Sequence, residues 1–176
     1  MKKFELTDET KIAAGRTLHR IRALRDFGPV RAGELGGFVE KEENLDHAGN
    51  ARVWGDARVS GDARVWGDAW VSGDARVWGG ALVYGNARVS GDARVAGNAR
   101  VSNSNNNAVV WFTHVGSENG TLTVYRCEKG LGVTRGCFTG TDAEFLEAVA
   151  AHHGTESKIG REYRLLIEVA RSRLQD

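Results

Sequence analysis

A mainly β protein is expected, built as a parallel β-helix over residues 45–104 and a small α+β domain over residues 105–176, with a β cap over residues 1–44. The first part rests on a period of six. From Leu45 the chain reads as ten hexads of the kind Ala57-Arg58-Val59-Ser60-Gly61-Asp62, with glycine recurring from Gly49 to Gly97, alanine from Ala51 to Ala99 and valine from Val53 to Val101. Hexapeptide periods signal a parallel β-helix. The second part rests on a change of pattern at Asn103-Ser104-Asn105-Asn106-Asn107, where the period stops and strand-like and then helix-like apolar spacing takes over.

Each hexad explains its own geometry. Alanine and valine stand two apart and share one face of a strand, while the arginine between them faces the other way. Glycine permits the corner, and the Asp or Asn after it suits a tight turn. The unit is a short strand with a small-plus-branched inner face and a polar outer one.

These repeats resemble the hexapeptide-repeat proteins, whose fold is a left-handed parallel β-helix of triangular cross-section with three hexads per coil. The resemblance implies that Val53 with Ala51, and their successors, fill the interior. Coils of eighteen residues then sort the outer positions into columns. Arg58, Arg76 and Arg94 form one, flanked by Asp56, Asp74 and Asp92; Arg52, Trp70 and Arg88 form a second; Arg64, Leu82 and Arg100 form a third. Among the aromatics after valine, Trp66 and Tyr84 stack across coils. Members of the family usually trimerise side by side, which places subunit contacts at Trp70 and Leu82. Many are acyltransferases using acetyl-CoA and a histidine base, but hexads 51–104 contain no histidine. His47, at the inward position of the imperfect first hexad, suits a satisfied cap better than a cleft.

Before the repeats, Phe4 and Leu6 alternate and residues 17–24 read as a strand. Asp26-Phe27-Gly28-Pro29 is a turn, and residues 33–40 lead into the coils. His19 and arginines 16, 20, 22, 25 and 31 lie among acidic residues, which points to a mixed-charge face. The stretch from Arg22 to Asn44 resembles the entry module of hexapeptide-repeat proteins of phages and prophages. After the repeats, residues 108–115, 121–126 and 132–138 read as strands. Thr141 with Glu144 forms a capping box for a helix over 142–152 that Gly154 stops, and a second helix runs over 158–174. This tail resembles an uncharacterised C-terminal module of small phage proteins around Arg135-Gly-Cys-Phe-Thr-Gly140, His153-Gly154 and Glu162-Tyr163. Cys137 with His152 or His153 is formally a thiol and a base, yet a cysteine in an apolar strand is more often buried and inert.

Composition narrows the function. With 24 Lys+Arg against 23 Asp+Glu, no net field steers the chain to duplex nucleic acid. Two cysteines make no disulfide framework. The start lacks the apolar run of a signal peptide, and no stretch of 18 apolar residues spans a membrane. The expectation is a non-enzymatic, cytoplasmic phage protein of the host bacterial cytosol, trimeric and without cofactor or metal. It would act in counter-defence by sequestering a nucleotide-type signal or occluding a host immune protein. Candidate ligand contacts are Trp54, Arg58, Trp66, Arg76, Trp78, Tyr84, Arg94, Arg126 and Arg135, since guanidinium groups and rings suit an anionic ligand with a π face. The competing reading is a lattice in which Arg and Asp columns neutralise each other, and those Arg neighbours also argue against a calcium ladder along the Asp column. An acyltransferase and a structural or virion scaffold protein are the alternative functions.

Overall fold

A computed structural model describes residues 1–97, 99–103, 109–127 and 130–174. The repeats form a β-solenoid with three faces, and its two ends are covered by the flanking segments. Strands β1 (Phe4–Ala13), β2 (Arg16–Ala23) and β3 (Leu35–Val39) precede it. The solenoid strands run from β4 (Arg52–Val53) to β12 (Arg100–Asn103). Beyond them lie β13 (Val109–Val115), β14 (Gly120–Cys127), β15 (Gly130–Arg135), β16 (Phe138–Thr141), α1 (Asp142–His153) and α2 (Lys158–Leu174). The expected boundary at 104/105 lies outside the described residues.

The columns fall where the eighteen-residue coil puts them. Face one stacks Arg58, Arg76 and Arg94 in parallel register, face two Arg52, Trp70 and Arg88, and face three Arg64, Leu82 and Arg100. Ala57 to Ala93 and Val59 to Val101 are sealed inside at their repeat positions. Alanine keeps the three walls close and valine fills the space between them, to the density that protein interiors require. The corner glycines are held by a double constraint. Gly73 has φ +68°, and a Cβ there would stand 3.0 Å from the Gly91 nitrogen of the next coil. Gly37 answers a different need, because a Cβ would meet the Ala57 carbonyl at 2.7 Å where β3 closes on the first coil.

The first coil departs from the period. Leu45, not His47, bridges to Val65, so two extra residues enter before Val53 resumes the register with Val71. His47 is thereby displaced from the inward position expected of it. Its ring stacks on Phe4 at 4.4 Å, and Nδ1 accepts the Lys3 backbone N–H at 3.1 Å.

Covering the two ends uses different groups. At the first end, β3 pairs with the Arg58 strand, so Phe38 N–H reaches the Ala57 carbonyl and Glu40 N–H that of Val59. The buried Asn44 amide donates to the carbonyls of Gly61 and Ala63, at 3.0 and 2.8 Å. Fully buried Lys3 donates its ammonium to the Ala51 carbonyl at 2.8 Å and lies 4.7 Å from the Phe27 ring centre. At the second end, alternate residues of β14 meet the last coil. Thr123 Oγ1 accepts Arg94 N–H at 2.9 Å, Tyr125 packs in the solenoid core, and the Arg100 backbone N–H is directed at the Cys127 sulfur. Burial raises the Cys127 thiol above its ordinary value.

The terminal sheet is antiparallel in the order β13-β14-β15-β16. Its opposite face carries Leu122, Val124 and Val133 against Phe145, Ile167 and Leu174 of the helices. Two expectations are corrected here. The strand read over 132–138 is split by a turn at Gly136-Cys137 into β15 and β16, because Gly136 with φ +58° reverses the chain. Cys137 therefore sits exposed on that turn and not inside an apolar strand. The capping box forms as read, with Glu144 N–H on Thr141 Oγ1 and the Glu144 carboxylate on Thr141 N–H.

Both constraints are testable. Gly73→Ala should lower stability by at least about 1–2 kcal/mol, the cost of a left-handed non-glycine residue, measured as a lower urea midpoint; Gly80→Ala, at a corner position outside the left-handed region, should not. Burial pushes the Lys3 ammonium down to about 8 from 10.5, with Asp46 opposing. Between those values the unfolded chain binds more protons than the folded one, so stability rises with pH from about 8 to 10.5. At about 1.4 kcal/mol per unit the gain is about 3 kcal/mol, and the rise should be missing from Lys3→Met.

Candidate anion-binding groove

Face one carries a column of charge that none of the described residues neutralises by an ion pair. Arg58, Arg76 and Arg94 are in register one coil apart, and neighbouring strands of a sheet lie about 4.8 Å apart. Among the described residues none of the three guanidinium groups stands within ion-pair distance of a carboxylate. Asp56, which the lattice reading would give to Arg58, is taken by Lys11 at 2.7 Å. Asp62 is taken by Lys41 at 2.9 Å, and Glu40 by Arg16 at 2.8 Å. Arg76 is held below the ordinary arginine value, first by loss of solvent and then by the charges of Arg58 and Arg94, against which Asp74 and Asp92 act only partially. The Nε of Arg58 is buried without a hydrogen-bond partner.

The N-terminal hairpin turns this column into a groove. The Ala14-Gly15 turn adopts φ of +50° and +74°, the two positive values of a tight hairpin connection. Strands β1 and β2 pair antiparallel, β2 pairs with β3, and β3 continues face one. The hairpin tip is thereby carried over the arginines. A cavity of about 570 Å³ lies between Ile12, Ala13, Ala14 and Arg16 on one side and Arg58, Arg76, Arg94 and Trp78 on the other, with Gly136 at one end. Ile12 is 68 % exposed at the rim. Above the column, Lys11 and Arg20 approach the Phe38 ring at 4.8 and 5.1 Å.

Of the nine ligand contacts expected from sequence, the fold brings Arg58, Arg76, Arg94 and Trp78 together. Trp54 lies elsewhere, packed against Ala23, Phe27 and Val30. Trp66 and Tyr84 stack on face three with ring centres 5.1 Å apart. Arg126 lies on β14 and is half-buried. Arg135 is mostly buried and committed to its own domain, donating to the Tyr163 hydroxyl at 2.8 Å and to the Val115 carbonyl at 3.1 Å. Trp70 is flanked by Arg52 and Arg88 from the coils before and after, at 4.3 and 5.5 Å. Leu82 lines a groove on face three. The mixed-charge reading of the cap holds for Arg16, Arg20, Arg22 and Arg31, which pair with Glu40, Glu9, Glu5 and Asp26.

The hairpin tip and Gly136 join the site without any sequence expectation of it. The Ala14-Gly15 pair between two alternating stretches is the signal for the hairpin. Nothing local says that its tip overhangs the arginines. Cys137, His152 and His153 do converge on one hollow of about 320 Å³ with Phe145 and Tyr163. Among the described residues no group of three or more His, Cys, Asp or Glu is placed to hold a metal ion.

Comparison with known proteins speaks to the repeats. The family model for the YdcK beta solenoid repeat matches residues 57–73 and 81–96, both within the solenoid. No curated protein matches the chain. The chain is thus a repeat β-solenoid protein, similar over its coils to the YdcK solenoid repeat.

Proposed function

We propose that the protein is a non-enzymatic binding protein that holds an anionic, nucleotide-type ligand in the groove of face one. The observation that carries this reading is the Arg58–Arg76–Arg94 column under the hairpin tip, only partly compensated by Asp74 and Asp92, with the Trp78 ring beside it. Guanidinium groups donate in the paired geometry that phosphate oxygens accept, and an indole face suits a base. No carboxylate, imidazole or thiol lines this groove among the described residues, so its chemistry favours capture over turnover. The resemblance of the entry segment and of the tail to phage modules supports a role in counter-defence: a phage-encoded trimer in the host cytosol that withdraws a signal nucleotide from circulation.

Calorimetric titration against cyclic and linear nucleotides should give heat with at least one of them and none with the matching nucleosides. Arg76→Gln should weaken that binding by roughly 1.5–3 kcal/mol, about ten- to a hundredfold. The same variant should unfold at a higher urea concentration in the absence of ligand, because it removes a guanidinium that Arg58, Arg94 and burial all disfavour. Absence of heat across the nucleotide panel would overturn the proposal.

A further inference from the structure

Face three presents the opposite chemistry. Its outward column after the inward residues runs Asp46, Trp66, Tyr84 and Ser102, since Leu45 bridges to Val65, Asp46 N–H reaches the Val65 carbonyl at 2.9 Å, and Tyr84 is in register with Ser102. The Trp66 ring rests on Tyr84 from the next coil, at an interplanar angle of 16°. On the side of the preceding coil the column holds Asp46, and among the described residues no ring stacks on Trp66 there. Trp66 remains 45 % exposed, and beside it opens a groove of about 630 Å³ lined by Glu42, Glu43, Asp46, His47, Arg64 and Leu82.

The solenoid itself shows what an indole in such a column attracts. On face two the neighbouring coils supply Arg52 and Arg88 to Trp70, and both guanidinium groups lie within cation–π distance of its ring. At Trp66 no cation of the chain does so among the described residues, although Arg64 lines the same groove. The charges around it are accounted for one by one. Glu42 is engaged by Lys2 at 2.6 Å and stands 3.7 Å from His47 Nε2. One Asp46 oxygen accepts Ala48 N–H and the Asp46 charge also acts on the Lys3 ammonium, while among the described residues no hydrogen bond reaches the other oxygen. Glu43 is exposed and in no ion pair among the described residues. With Glu42 engaged by Lys2, two carboxylates, Asp46 and Glu43, face the Arg64 guanidinium around a half-covered aromatic ring.

We propose that this groove is a second binding site, for a guanidinium or alkylammonium group that stacks on the free side of Trp66 and is neutralised by Asp46 and Glu43. The site is separate from the arginine groove of face one and does not depend on what binds there. Its cation comes either from a free amine or from an arginine side chain of a protein partner.

The test uses the whole protein and the indole N–H resonances of its tryptophans, with the Trp66 signal identified by its loss in Trp66→Phe. N-acetyl-arginine amide should shift that signal saturably, whereas the uncharged isostere N-acetyl-citrulline amide should not. Asp46→Asn with Glu43→Gln should weaken the arginine probe about tenfold, as should Trp66→Ala when binding is followed by calorimetry. Arg76→Gln should leave it unchanged. Agmatine binding as tightly as an acetylated Gly-Arg-Gly amide would assign the site to a free amine; tighter binding of the tripeptide would assign it to a partner's side chain. Equal shifts with the citrulline probe, or undiminished affinity in the double carboxylate variant, would overturn the proposal.

Discussion

The ladder of hydrogen bonds between coils is the constraint on which the rest of this structure depends. Each coil completes its backbone bonds only on its neighbours, as Arg58 N–H does on the Ala75 carbonyl and Arg76 N–H on that of Ala93. A stack of coils therefore ends twice in unpaired groups, and buried groups of that kind are too costly to leave open. The chain answers with dissimilar means. Asn44 and Lys3 supply side-chain donors at the first end, where β3 adds a strand. Thr123 and Cys127 supply acceptors at the other, on alternate residues of one strand. The flanking segments are thus lids first, and their other properties derive from that placement.

One such property is the groove of face one. A hairpin that extends the capping sheet projects beyond it, and the overhang turns a flat column of arginines into a cavity. The hairpin's own cations also take up Asp56, so the cap that closes the solenoid withdraws a counter-charge from the column beneath it. The three faces come out unlike one another despite a nearly uniform repeat. Face one keeps its guanidinium groups out of ion pairs among the described residues, face two uses two of them around Trp70, and face three sets carboxylates of the irregular first coil beside Trp66. The near-zero net charge of the chain conceals this segregation.

Legibility in the sequence depends on how local each signal is. The columns, the Trp66–Tyr84 stack and the Thr141–Glu144 capping box depend on a fixed spacing or on four consecutive residues, and all of them appear in the structure. The displacement of His47 is not legible, because Leu45-Asp46-His47-Ala48-Gly49-Asn50 keeps glycine in phase while the strand bond shifts to Leu45. Cys137 escapes for a related reason: Gly136 reads equally well as part of a strand and as a reversal, and only the pairing of β15 with β16 decides. The groove itself joins residues from the hairpin, three coils and the terminal domain, and no window of sequence contains them together.

If the flanking segments are lids, solenoid and terminal domain unfold as one unit. Urea unfolding of a Trp111→Phe variant, which removes the tryptophan of β13, followed by tryptophan emission, which then reports Trp54, Trp66, Trp70 and Trp78 in the coils, and by circular dichroism at about 222 nm, which reports α1 and α2, tests this directly. Coincident transitions with one midpoint are the predicted result. Loss of the helical signal at lower urea, with the tryptophan signal still native, would contradict it.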